Sequence, residues 1–286
     1  MPNMPSPPTV NSPGFSLSKN YPDTYNYSMT KIIGICLIKN EDRFIESALQ
    51  RVLNFCDNIV VLDNNSTDGT YAILQKIQKA CPDKIQLHSI SNALDSHSFI
   101  EKYANTNTWI FAIDGDELYD APRLEIFRKE LLSGRYDDYW KIFGNCIHVE
   151  KIDPTEKFVY GYMTPPSRSI TKLYNFNAIH EWREHTERLH GTRMKFKENF
   201  NEDKTFLLHD IYTWGDSPFR CIHMCFVDRS SLSIKNVRFN PLENLKPYFP
   251  ILNFFRNLSR GKFSLQSSYK LDKYRRGPIT KVEYFR

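Results

Sequence analysis

Trp109-Ile110-Phe111-Ala112-Ile113-Asp114-Gly115-Asp116-Glu117 decides the reading of this chain, because an apolar run gives way at once to three carboxylates around a glycine. A short continuous apolar run bounded by turn residues is the pattern of a strand buried on both faces. The carboxylates then stand at its carboxyl end. Asp114 and Asp116, one residue apart, offer the hard oxygen ligands that Mg²⁺ or Mn²⁺ prefers while it bridges to phosphate oxygens. Alone, the pattern is short, and the plainer reading is a polar strand end opening a helix.

Upstream, the same unit recurs. Lys31-Ile32-Ile33-Gly34-Ile35-Cys36-Leu37-Ile38 reads as a strand, followed by the polar run Lys39-Asn40-Glu41-Asp42 and an amphipathic segment from Phe44 to Phe55. Asn58-Ile59-Val60-Val61-Leu62 is a second, β-branched run, and Asp63-Asn64-Asn65-Ser66-Thr67-Asp68-Gly69-Thr70 is a turn-rich loop before a helical stretch from Tyr71 to Ala80. Thr67 or Asp68 is placed to cap that helix. Ile85 to Ile90 is a third, weaker run ahead of a helical stretch around Ser98 to Ala104. Apolar strands alternating with amphipathic helices imply an α/β fold with a mostly parallel sheet flanked by helices, and such sheets bind ligands beyond the carboxyl ends of their strands. Three polar loops converge there.

These residues carry a resemblance. Val60 to Thr70, preceded by Ile38-Lys39-Asn40-Glu41 and followed about fifty residues later by Phe111 to Glu117, resembles the nucleotide-sugar-binding half of family 2 glycosyltransferases with the Rossmann-like GT-A fold. The likeness covers roughly residues 31 to 120, with three motifs in order, each at a strand end. It implies a domain that binds a nucleoside diphosphate sugar with Mn²⁺ or Mg²⁺ and transfers the sugar with inversion. It makes Asp63 the acceptor for a ring N–H of the base, with Asn40, Glu41 and Asn65 beside the nucleotide. It also places Asp114 near the ribose and metal and makes Asp116 the direct metal ligand. The plainer reading of Asp63 is a turn carboxylate, and Asn40 and Glu41 serve equally as turn residues.

Further ligands must come from downstream. His209, ending the run Phe206-Leu207-Leu208, is the candidate third metal ligand, as a late His is in some GT-A enzymes; the commoner case is a satisfied strand-end His. Inverting transfer also needs a general base on the acceptor nucleophile. Glu181, in Ile179-His180-Glu181-Trp182, is the first candidate and Asp210 the second, with a salt bridge from Glu181 to Arg183 or Arg188 as the structural alternative. Two departures from the family pattern stand out. The helical Glu-Asp pair that often holds the base has no clear copy, and Ser91 to Phe99 lacks the Arg or Lys that would meet the diphosphate.

Composition agrees with a single catalytic unit. A chain of 286 residues with 41% apolar content is long enough for a full core. No run approaches a membrane span, and Met1 to Met29 lacks the pattern of a secretion signal, so a cytoplasmic location is expected. Residues 1–30, rich in Pro, Ser, Asn and Tyr, read as a disordered lead. Residues 31–240 read as the GT-A domain, divided into a nucleotide-sugar half (31–120) and an acceptor half (121–240). Residues 241–286 read as a helical, basic, aromatic extension. From Lys246 onward ten Lys or Arg face only Asp272 and Glu283, a net +8 in a chain of net +5. Basic residues interleaved with aromatics suit peripheral contact with an anionic membrane bearing a lipid-linked acceptor, or simply a solvated helix. No nucleic-acid-binding signature accompanies the charge. The six cysteines are scattered and read as reduced thiols; Cys221-Ile222-His223-Met224-Cys225 has zinc-ligand chemistry but reads as core, since paired knuckles are missing.

The expectation is therefore a metal-dependent inverting glycosyltransferase in surface polysaccharide synthesis, with a UDP-sugar favoured as donor and a glycan or lipid-linked acceptor. Two rivals are a nucleotidyltransferase, disfavoured by the glycine-free loop Lys39 to Asp42, and a non-catalytic nucleotide-binding module of the same fold.

Overall fold

The apolar runs become strands, each followed by a helix, as their alternation requires. In the computed structural model, which describes residues 29–182, 187–190, 194–232 and 273–284, β1 is Lys31–Ile38, α1 Ile45–Val52, β2 Asn58–Asp63, α2 Thr70–Ala80, β3 Ile85–Ser89, α3 Ser98–Glu101 and β4 Thr108–Ile113. The order then changes character: β5 Glu117–Tyr119, α4 Ala121–Leu132, β6 Lys141–Phe143, β7 Asn145–Asp153, β8 Phe158–Met163 and β9 Thr171–Asn175. The remainder comprises β10 Ile179–Trp182, β11 Met194–Phe196, β12 Thr205–Leu207, β13 Arg220–His223 and β14 Ile279–Glu283.

The main sheet has seven strands in the order β12-β6-β9-β4-β1-β2-β3. β4, β1, β2 and β3 are parallel, β9 is the antiparallel strand between β4 and β6, and β12 is parallel to β6. Alternate residues of β1, β2 and β4 enter two separate cores, which explains why their sequences are apolar throughout. Ile32, Cys36, Ile59, Val61, Trp109 and Phe111 face one side, packed with α1, α2 and α4; Ile33, Ile35, Val60, Leu62 and Ile110 face the other, against Ile100 and Trp140. α1 buries Ile45, Ala48, Leu49 and Val52, one stripe at helical spacing. Asp120 caps α4 by accepting from the Arg123 N–H, with Pro122 in its first turn.

A second sheet, β14-β8-β7-β13-β5, starts directly from the acidic motif. Its core, with Leu118, Ile147, Val149, Val159 and Ile222, packs with Ala48 of α1. This joins the two sheets through one helix.

The sheet and helices agree with the α/β architecture expected from sequence. One element differs: in the extension expected to be helical, Ile279–Glu283 is the strand β14, paired antiparallel with β8, with Val282 buried in the second core. β-branched Ile279, Thr280 and Val282 favour an edge strand there. The expected lead through residue 28, and residues 233–272, which include most of the basic extension (241–286), lie outside the described residues. Among the described residues no helix is long and apolar enough to cross a membrane.

Candidate active site

The loops after β1 and β2 are laced together by their own polar groups. Asn40, at φ +54°, which Asn tolerates better than most residues, accepts the Thr67 N–H at 2.8 Å, while its own N–H donates to Ser66 Oγ at 3.0 Å. The Glu41 N–H donates to Thr70 Oγ1 at 2.8 Å, and its carboxylate accepts from Arg229 Nη1 at 2.7 Å. The segment around Arg229 continues as a strap: Ser230 Oγ donates to Asp68 and the Ser231 N–H to Asp42 at 2.7 Å. Gly69, rather than Thr67 or Asp68, is the helix-cap position, although the Asp68 carboxylate accepts the Thr70 N–H at 2.9 Å. Asp63 differs from these. It ends β2, is buried, and accepts the Ser66 N–H through Oδ2 at 3.2 Å, while buried Oδ1 has no hydrogen-bond partner among the described residues. A buried unpaired acceptor at a strand end is what an absent N–H donor would leave behind. Asn65, also at φ +54°, is exposed on the rim of the same loop.

Asp114, at the end of β4, is gripped by two cations. Lys172 Nζ lies 2.6 Å from Oδ2 and Arg188 Nη1 lies 2.7 Å from Oδ1, with Arg188 also donating to the Ile113 carbonyl at 3.0 Å. Burial pushes the Asp114 carboxyl up, but Lys172 and Arg188 outweigh it and hold it well below the usual carboxylate range. Lys172 reaches Glu117 as well, at 2.8 Å. Glu117 is fully buried and accepts from the Tyr119 hydroxyl at 3.1 Å; burial first, then the negative charges of Asp114 and Asp116, lift it to about 7 against the opposing pull of Lys172. With no exposure, Glu117 serves as a support under the site. Gly115 packs closely under the site: a Cβ there would strike the Glu41 carboxylate and lie 2.8 Å from Ile38 Cδ1, so those side-chain ends would have to shift.

Asp116 faces the second sheet. The motif runs directly into β5, which pairs antiparallel with β13 so that His223 lies opposite Glu117, and the Met224 N–H donates to the Asp116 carbonyl at 2.9 Å. This brings His223 Nε2 to 3.7 Å from Asp116 Oδ1, both groups buried. On its other side β13 runs parallel to β7, placing His148 beside His223, with their Nδ1 atoms 3.0 Å apart. His148, His223 and Cys146 form a metal-capable group whose ligand atoms lie within 4.8 Å of one another.

The other expected residues are placed as follows. His209 follows β12, the edge strand of the main sheet, where Nε2 meets Ser169 Oγ at 3.3 Å and Asp210 at 3.7 Å. Asp210 is exposed. Glu181 is half-buried in the β10–β11 hairpin, opposite Lys195. Arg183 lies outside the described residues, and Arg188 takes Asp114 and Glu187 as its ion-pair partners. Cys221 and Cys225 are buried and outside any disulfide, in keeping with their reading as core. Lys172, Arg188 and His223 were not selected from sequence as site residues. For the two cations the only signal was the absence of Arg or Lys from Ser91 to Phe99, which obliges the charge to come from elsewhere.

A family model described as glycosyl transferase family 2 matches residues 35–233. An uncharacterised glycosyltransferase of Rickettsia conorii is 27% identical over 151 residues, covering 52% of this chain and 50% of its own. One from Rickettsia bellii is 33% identical over 145 residues, covering 51% and 46% respectively. The chain thus spans about half the length of the curated relatives it matches. Among solved structures, a Pyrobaculum calidifontis mannosyltransferase in complex with GDP-mannose and Mn²⁺ is 18% identical, with 44% of this chain and 37% of that one covered and a TM-score of 0.32. Glucosyl-3-phosphoglycerate synthase of Mycobacterium tuberculosis, with Mn²⁺ and UDP, is 18% identical over 40% and 43%, with a TM-score of 0.30. Superpositions this slight place no residue.

Proposed function

The chain belongs to glycosyl transferase family 2 and has its GT-A fold, and on that premise we propose that it is a metal-dependent, inverting glycosyltransferase using a nucleoside diphosphate sugar. The observation that carries the proposal is the buried pair Asp116 and His223, one carboxylate and one imidazole 3.7 Å apart, adjoining Asp114 on the edge where Asp63 presents an unpaired acceptor. Mixed oxygen and imidazole donors fit Mn²⁺ better than Mg²⁺, which favours oxygen and retained water. In this reading Asp116 and His223 hold the ion, and His223 takes the part first expected of His209. A bound divalent ion supplies positive charge to the diphosphate as it leaves.

The remaining work belongs to the chain. Asp63 Oδ1 accepts the base N–H, which favours uridine, while Asn40, Glu41 and Asn65 shape the loop around the nucleotide. Lys172 and Arg188 hold Asp114 in one orientation for the ribose and add fixed positive charge near the leaving group, the type of preorganised electrostatics that lowers such barriers. Glu181, with Asp210 as alternative, takes the acceptor's proton. The acceptor is a glycan or a lipid-linked glycan at an anionic membrane, in surface polysaccharide synthesis, with the basic segment from Lys246 as the membrane contact.

Incubating the purified protein with UDP- and GDP-sugars and Mn²⁺, and following release of the diphosphate, tests this. One donor is expected to turn over, with Glu181→Gln reducing kcat by about 10²-fold or more while leaving donor affinity intact. If Asp210→Asn produces that loss instead, the base assignment moves. A folded protein inert toward every donor, yet binding nucleotide, would identify a non-catalytic module.

A further inference from the structure

His148 is fully buried on β7, and both of its ring nitrogens are engaged. Nε2 lies 2.8 Å from the Arg168 carbonyl oxygen, and Nδ1 lies 3.0 Å from His223 Nδ1, with Cys146 Sγ at 3.9 Å. The ring is clamped by Tyr274, edge-on at 4.6 Å between centroids, which also packs against His223 at 6.0 Å.

A carbonyl oxygen accepts only, so His148 Nε2 carries a hydrogen. In the neutral ring that leaves a lone pair on Nδ1. The hydrogen shared by the two Nδ1 atoms therefore belongs to His223, and the lone pair of neutral His223 is on Nε2, facing Asp116. The reverse arrangement would put a doubly protonated imidazolium at a fully buried position. We propose that His148 is a positioning residue for metal capture: through the Nδ1–Nδ1 hydrogen bond it fixes the His223 tautomer and ring orientation that present Nε2 beside Asp116. The inference rests on the reading of Asp116 and His223 as the metal pair. It also interprets the grouping of Cys146, His148 and His223 as a hydrogen-bonded support, with no metal between the two Nδ1 atoms. Partners of this kind on a ligating histidine are worth about 10- to 100-fold in metal affinity.

The test contrasts two amides of similar chemistry. His148→Asn keeps an acceptor where Nδ1 stood, whereas His148→Gln carries its amide out to where Nε2 stood. Mn²⁺ affinity, measured by electron paramagnetic resonance titration without nucleotide, is expected to weaken about 10- to 100-fold in His148→Gln and to stay within a few fold of wild type in His148→Asn. Circular dichroism and metal-free nucleotide binding monitor the fold. Equal Mn²⁺ affinity of the two variants, whether both strong or both weak, overturns the positioning role. Zinc that copurifies with the protein and is lost in Cys146→Ser overturns it too, by placing a metal where the hydrogen bond is assigned. His223→Ala separates the two levels of the account. If it leaves Mn²⁺ affinity unchanged, the metal reading fails and takes this inference with it; if it abolishes binding while His148→Gln does not weaken it, only the role of His148 falls.

Discussion

Lys172 lies between two carboxylates that could not share a buried place without it. Its Nζ is 2.6 Å from Asp114 and 2.8 Å from Glu117, bringing together the end of β4, the start of β5 and the neighbouring strand β9. Lys172→Met should therefore lower stability by about 3–5 kcal/mol in urea denaturation, because removing one partner strands the others' charge. The pH dependence follows from the same cluster, measured in chelator. Glu117 keeps its proton up to about 7 when folded, against 4.5 ordinarily, so the folded chain binds more protons across that interval and stability falls as pH rises through it. Asp114 acts with the opposite sign: its carboxyl is depressed below the usual 3.8, so its contribution is present above that pH and lost below it. Glu117→Gln should flatten the slope between pH 4.5 and 7 and leave the acid loss, and an unchanged slope would remove Glu117 from the account. The strand-end positions of Asp63 and Asp114, with Asp116 just beyond, were legible in the sequence because a strand end announces itself by where the apolar run stops. His223 was not, since Cys221 to Cys225 reads as core, and its place beside Asp116 arises only from a pairing across more than a hundred residues of chain. Lys172 and Arg188 are hidden for the same reason: nothing local in an aromatic-rich strand or a polar loop points a cation at Asp114.

At the scale of elements, the site depends on three strands of the second sheet keeping register. β5 carries the motif outward, β13 brings His223 back to it, and β7 brings His148 to His223. β8 sets how closely β7 can be approached, because Gly161 lies against the His148 backbone, where a Cβ would collide with the His148 carbonyl. Gly161→Ala should separate β8 from β7 at that point, costing about 1–3 kcal/mol and weakening Mn²⁺ binding together with stability. A variant with wild-type melting and wild-type metal affinity would show that β7 is not held by that contact. The parallel half, β1 to β4, was readable element by element, since each strand announces itself as an apolar run and each helix as a stripe. The second sheet was not, because β5 and β13 are only three and four residues long and their pairing is decided by tertiary contact.

At the scale of the molecule, the chain folds back on itself late. β14, after the long basic segment, closes the edge of the second sheet on β8 and buries Val282. Ending the protein at Pro278 should thus lower stability by at least about 2 kcal/mol, from the loss of that buried side chain and its strand, and an unaltered melting curve would mean that β14 adds nothing to the body. In the function proposed above, the two halves of the site form one assembly, with Asp63 assigned to the base on one sheet edge and Asp116 with His223 assigned to the ion beside the second sheet. Calorimetric titration of UDP and GDP into the purified protein, with and without Mn²⁺, repeated on Asp116→Ala and His223→Ala, tests that unity most directly. The account predicts that one nucleotide, UDP, binds more tightly with Mn²⁺ and that each substitution abolishes the metal's effect while weak metal-free binding at Asp63 survives. Binding that ignores Mn²⁺, or Mn²⁺ enhancement that survives both substitutions, would contradict it.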